Sequence, residues 1–164
     1  MAAAIAAAAA GGCKVPIEDM DEIFYDWADR RVLCAANIDG SAGNDLATIF
    51  LGLERARDRG EVLQLYGHEP GDPAAGATVT VDKVTAILAK AAELGLPFYR
   101  SDELRPDGPG GAGLALSFDD AHIAEWSAMR PVFAQYGARL TFFITRYAAG
   151  SRSEERRVGK ECRS

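Results

Sequence analysis

The residue types best suited to chemistry stand together in Ser117-Phe118-Asp119-Asp120-Ala121-His122. Adjacent carboxylates repel each other, so the pair calls for a cation or a shared proton. His122 reads as a surface or helix N-terminal residue. The chain's other histidine, His68, closes the run Leu63-Gln64-Leu65-Tyr66-Gly67-His68 far upstream; it could equally be a loop histidine that binds nothing. Either Asp119 or Asp120 alone could merely cap a following helix. The flanks of the pair ask for more, because residues 113–118 form a short apolar run bounded by glycine. Such a run reads as a buried parallel strand, and α/β proteins place their chemistry at the carboxyl ends of those strands. The three cysteines, Cys13, Cys34 and Cys162, have no neighbouring histidine pair and make no zinc signature.

The elements that must position these groups can be taken in order. Residues 17–29 are acidic with Phe24, Tyr25 and Trp27 interleaved. Such rings can stack on sugars, but packing against the first strand suits them better. Residues 32–38 predict that strand, with Cys34 buried in it as a small hydrophobe, and residues 39–44 predict a turn. Asp39 stands at a strand end and could reach a site there, although an aspartate in this context fits a turn. Asn44 or Asp45 is placed to cap a helix running to Arg59, with Leu46, Ile49, Phe50 and Leu53 inward and Gly60 as its stop. Residues 61–68 predict a second buried strand that ends at His68. A Gly/Pro-rich loop (69–77) leads to a helix over 79–94 with Val81, Val84, Ile87, Leu88 and Ala91 inward. A short strand and turn follow at 97–104, and residues 106–113, "PDGPGGAG", have the composition of a flexible connector.

With 164 residues, 48% of them hydrophobic and 26% charged, the chain fits one soluble globular unit. Its net charge of -6 argues against a nucleic-acid partner, and no run approaches the ~18 apolar residues of a membrane span. Residues 1–12 are a low-complexity alanine leader ending at Cys13. Small apolar residues before a cysteine resemble the end of a bacterial lipoprotein signal. That would attach the chain to a membrane through a lipidated Cys13, in the cell envelope or outside the cell. No Lys or Arg precedes the run and Ala10 stands where such signals favour Leu, so a plain helical or disordered leader is the alternative. Residues 152–164, "RSEERRVGKECRS", match codon for codon the translation of a common sequencing adapter. They predict that the frame leaves its natural course near Gly150, the alternative being a solvated charged tail. Without them the chain carries 13 basic against 21 acidic residues, net -8, and Cys162 has no functional weight.

Residues 114–145 carry a strand ending Ser117-Phe118-Asp119-Asp120, a helix, a Tyr136-Gly137 turn and a second strand, Arg139-Leu140-Thr141-Phe142-Phe143-Ile144. In order and spacing these resemble the opening of the polysaccharide deacetylase domain, the NodB-type carbohydrate esterases. That family's first strand ends Thr/Ser-Phe-Asp-Asp and its second reads "ATFF"; Ala121 stands where it most often has Gly. The upstream block, residues 14–105, resembles the closing part of the same domain. Leu63-x-Leu65 with His68, then Ala91 to Gly95, then Phe98 to Leu104 parallel a Leu-x-Leu-His strand, a helix ending "KG" and a final "F-x-T-x-x-E-L". His68 departs from the pattern by lying three residues past Leu65 instead of directly after it. The family's ending therefore precedes its beginning, with residues 106–113 as the join, which is the order of a circularly permuted barrel. Two tandem partial domains are the alternative, but permutation needs one rearrangement and keeps one core.

The resemblance implies an α/β fold, a fragment of the (β/α) deacetylase-type distorted barrel, and metal-dependent removal of N- or O-acetyl groups from a polysaccharide. Carried over by motif, Asp119 corresponds to the general base, Asp120 to a metal ligand and His68 to the general acid. Neighbouring strand residues point to opposite sides, so one carboxylate can face a metal while the other reaches the water. A divalent metal, zinc in the first instance, would lower the pKa of water and polarise the carbonyl. The family completes its ligands with a His-(Ser/Thr)-x-x-x-His motif and adds an Arg-Pro segment, and nothing after Ile144 supplies either. Together with a length below the ~200 residues of such barrels, this implies that the chain as written is incomplete and inactive. Three other classes compete: a magnesium-binding signalling receiver, which needs a further Asp and a Lys; a carbohydrate-binding module using exposed Trp27, Tyr66 and Trp126; and an inactive pseudoenzyme.

Overall fold

A computed structural model describes residues 15–30, 32–72 and 76–145. The alanine leader with Cys13, and the adapter-like tail with Cys162, lie outside the described residues. In chain order the elements are β1 (Phe24–Tyr25), β2 (Ala36–Asn37), α1 (Leu46–Arg59), β3 (Val62–Gly67), β4 (Glu69–Pro70), β5 (Thr78–Val79) and α2 (Val81–Glu93). These are followed by β6 (Phe98–Tyr99), β7 (Gly113–Asp119), α3 (Ile123–Ala128), α4 (Arg130–Gln135) and β8 (Thr141–Phe143).

The two apolar runs, β3 and β7, pair in parallel over six residues, Val62 with Gly113 through Gly67 with Phe118. Each has a divided outer edge. On β3, antiparallel β1 takes Val62 and Leu63 while parallel β2 takes Leu65 and Tyr66. On β7, parallel β6 takes Leu114 and Ala115 while parallel β8 takes Ser117 to Asp119. The result is a mixed α/β sheet, parallel except for β1; β4 and β5 form a separate two-stranded pair.

Strand alternation gives the sheet two faces. On one, Leu63, Leu65, Leu114, Leu116 and Phe118 join Ile49, Leu53 and Ala56 of α1 and Val84, Ile87, Leu88 and Ala91 of α2 in the main core. Trp126, Met129 and Phe133 extend this core, with the Trp126 ring stacked 3.6 Å from that of Phe118. Burying side chains of this size gives about 1.5–3 kcal/mol each. The other face carries a smaller cluster of Tyr25, Val62, Tyr99, Leu104 and Ala115.

Local signals set the helix limits. The Asp45 side chain accepts from Thr48 N at 3.0 Å, and Gly60 ends α1 with φ 71°. Thr80 caps α2 by accepting from Lys83 N, so this helix begins at Val81 and not at residue 79. Val79 is instead a buried strand residue, and Val81, expected inward, is exposed. The strand expected over 32–38 shrinks to Ala36–Asn37, because β1 already holds the first half of the β3 edge. Cys34, expected buried, is exposed for the same reason. The connector of residues 106–113 is tied down: Trp27 Nε1 donates to Gly111 O at 2.8 Å and Tyr99 Oη to Gly110 O at 2.7 Å.

Candidate active site

The β2, β3 and β7 strands run in parallel and end level with one another, and each delivers one titratable residue just beyond or at its end. Gly67 pairs with Phe118, so His68 follows beside Asp119. Asn37 pairs with Tyr66 and Ile38 N donates to Tyr66 O at 2.8 Å, which brings Asp39 beside His68. Asp39, His68 and Asp119 thus form a row across the sheet on the face opposite the main core. A histidine directly after Leu65 would occupy position 66, and a shift of two residues keeps the same face.

Asp39 is completely buried. Its Oδ1 accepts from the His68 backbone N–H at 3.1 Å and its Oδ2 lies 2.6 Å from His68 Nδ1. The sequence favoured a turn role for Asp39; the backbone does turn through Gly40–Ala42, but the side chain makes no cap bond and turns to His68. Gly67 permits the approach, since a Cβ there would stand 3.3 Å from Asp39 Oδ1. With Nδ1–H given to Asp39, Nε2 is the His68 ring nitrogen left without a partner among the described residues.

Burial pushes the Asp119 carboxyl above the ordinary carboxylate value; nearby His68 opposes this, while Asp120 and Asp39 add to it. A carboxylate of raised pKa is a stronger base toward water. Asp120 leaves the strand with φ 69°, a left-handed conformation uncommon outside glycine and found at constrained sites. It is exposed, and Thr145 Oγ1 donates to its Oδ1 at 3.5 Å. Neither aspartate caps the following helix. His122 occupies that position without a side-chain cap bond, and its Nδ1 lies 3.6 Å from Glu69 Oε2, away from the row.

Among the described residues no group of three His, Cys, Asp or Glu side chains stands close enough to hold a metal ion. Asp120 offers one carboxylate, and one carboxylate does not make a zinc site. An apolar cavity of about 310 Å³, lined by Ile123, Trp126, Arg130, Phe133, Phe142 and Ile144, opens on the core side of the sheet. It is separate from the Asp39–His68–Asp119 row. Of the rings a sugar-binding surface would need exposed, Trp126 is buried, and Trp27 and Tyr66 are half-buried.

In comparisons with known proteins, the chain matches no family model, no curated protein and no solved structure.

Proposed function

We propose that this protein is a hydrolase of the polysaccharide deacetylase type, removing acetyl groups from an acetylated polysaccharide. The observation that supports the reading is the row Asp39–His68–Asp119 at the carboxyl ends of three parallel strands, with Asp120 beside it. Asp119 takes a proton from the attacking water. His68, held through Nδ1 by Asp39 and carrying a second proton on Nε2, gives that proton to the leaving nitrogen or oxygen as the acyl bond breaks. Asp39 orients the imidazole and balances its charge when it is protonated.

A divalent metal, zinc by the resemblance, would be held at Asp120. The described residues do not complete a site for it. The shared β3–β7 pairing favours one barrel core in permuted order over two tandem partial domains, since residues from both blocks lie in one sheet. Attachment through a lipidated Cys13 and a place in the cell envelope go with this reading.

The test is acetate release from N-acetylated and O-acetylated glycan oligomers, with zinc and after chelation. The proteins used are the full chain and, beside it, the product of source DNA resequenced across codon 150. Chelator-sensitive release that Asp119→Asn and His68→Asn each lower at least 100-fold supports the proposal. Glycan binding without any acetate release would make the protein a binding module or pseudoenzyme instead.

A further inference from the structure

On the face that carries His68 and Asp119, the residue one alternation below His68 is Tyr66, about 7 Å along the strand. It pairs laterally with Asn37 on one side and Ser117 on the other. The hydrogen bonds of Asn37 determine what the tyrosine can do. Asn37 Oδ1 accepts from the Asp39 backbone N–H at 2.7 Å, so the amide turns Nδ2 toward Tyr66 Oη, 3.3 Å away. The phenol oxygen is therefore an acceptor in this contact and keeps its own proton to give. Among the described residues no acceptor takes that proton.

A second donor lies one alternation deeper. Gln64 is 6% exposed, and its Nε2 is buried with no partner. Buried donors are nearly always paired; with Gln64 Nε2, Tyr25 Oη and the half-buried Tyr66 hydroxyl all unspent among the described residues, this face is short of acceptors. The charge pattern narrows its chemistry. Asp119 and Asp120 at the mouth, with Asp39 buried beside His68, disfavour a phosphate or a free carboxylate, whereas an amine would meet donors beneath instead of acceptors. A neutral acyl group, with its carbonyl oxygen directed down the face, satisfies both conditions.

We infer that Tyr66 is a specificity-determining residue whose hydroxyl donates to the acyl carbonyl oxygen of a ligand seated over His68 and Asp119. The inference rests on the deacetylase reading and adds the residue that recognises the acetyl group. Asn37 is then a positioning residue, holding the phenol oxygen so that its proton faces the ligand.

The experiment titrates the full chain with an N-acetylglucosamine trisaccharide and, separately, with the unacetylated glucosamine trisaccharide, read by NMR or calorimetry. Wild type is expected to prefer the acetylated sugar. Tyr66→Phe, which keeps the ring, is expected to weaken that binding about tenfold, the loss of one hydrogen bond, and Asn37→Ala about threefold with the thermal transition retained. A wild-type preference that persists undiminished in both variants overturns the role of Tyr66 and leaves the deacetylase reading standing. A wild type that does not distinguish the two sugars overturns that reading and the role of Tyr66 with it.

Discussion

Asp39 holds His68 at two points, through the backbone N–H at 3.1 Å and through Nδ1 at 2.6 Å. A single buried carboxylate thereby fixes both the position of the residue and the tautomer of its ring. The two residues are 29 positions apart, so this contact depends on β2 lying beside β3 and is absent until they pair.

Replacing Asp39 with Asn removes one acceptor while keeping the volume. A buried donor left without its acceptor costs about 1–3 kcal/mol, which a urea unfolding curve will register. Nitrogen NMR of His68 will then show a mixture of tautomers in place of one protonated at Nδ1. A single unchanged tautomer in Asp39→Asn would mean that Asp39 does not set the ring.

Asp119 makes stability depend on pH in a definite direction. Its folded pKa lies above the ordinary carboxylate value, so between the two the folded chain binds more protons than the unfolded chain. The contribution is fully present below the unfolded pKa, near 3.8, and is lost as pH rises through the folded value. Asp119→Asn should therefore raise Tm at pH 7 by a few degrees at most, with the gain fading toward pH 3.5. Equal Tm differences at both pH values would refute the assignment.

Residues 106–113 should resist proteases despite their composition. Gly113 lies against the Tyr99 ring, where a Cβ would come within 2.3 Å, and Trp27 and Tyr99 hold Gly111 and Gly110. Gly113→Ala is expected to cost about 1–3 kcal/mol through overpacking, and Trp27→Ala to open the segment to cleavage. Rapid cutting of the wild type within it would show that the strap does not hold.

The β8 strand ends the described sheet with Phe142 42%, Phe143 51% and Ile144 37% exposed. An apolar edge of this kind promotes association between chains, and lysine suppresses it. Light scattering should rise with protein concentration, and Phe143→Lys should lower it severalfold without moving the urea midpoint. Scattering that ignores the substitution would clear this edge.

Much of the positioning framework was legible in the residues. Asp45, the apolar spacing of Ile49 and Leu53, and Gly60 mark α1 almost to the residue, because caps and period are local signals. The runs that become β3 and β7 were equally plain, being continuous, apolar and bounded by turn residues. What escaped is non-local. The length of β2 depends on β1 having taken part of the same edge, and nothing within residues 32–38 records that. The candidate site divides in the same way. Asp119, Asp120 and His68 stood out by type and setting, whereas Asp39 looked like a turn residue because its partner lies in another strand. Tyr66 and Asn37 gave no signal beyond strand alternation, which places them on the face but not in a shared bond.

The pairing of β3 with β7 also sets the order of events as the chain is made. Ser117 reaches back 52 positions to Leu65, so at about 5–20 residues per second β3 leaves the ribosome roughly 3–10 s before its central partner exists. Through that interval its apolar residues have only the short edge strands, α1 and, once it is made, α2 for shelter. A nascent chain halted before residue 113 is therefore the species a chaperone would find most exposed, and synthesis of β7 is the step that ends the exposure.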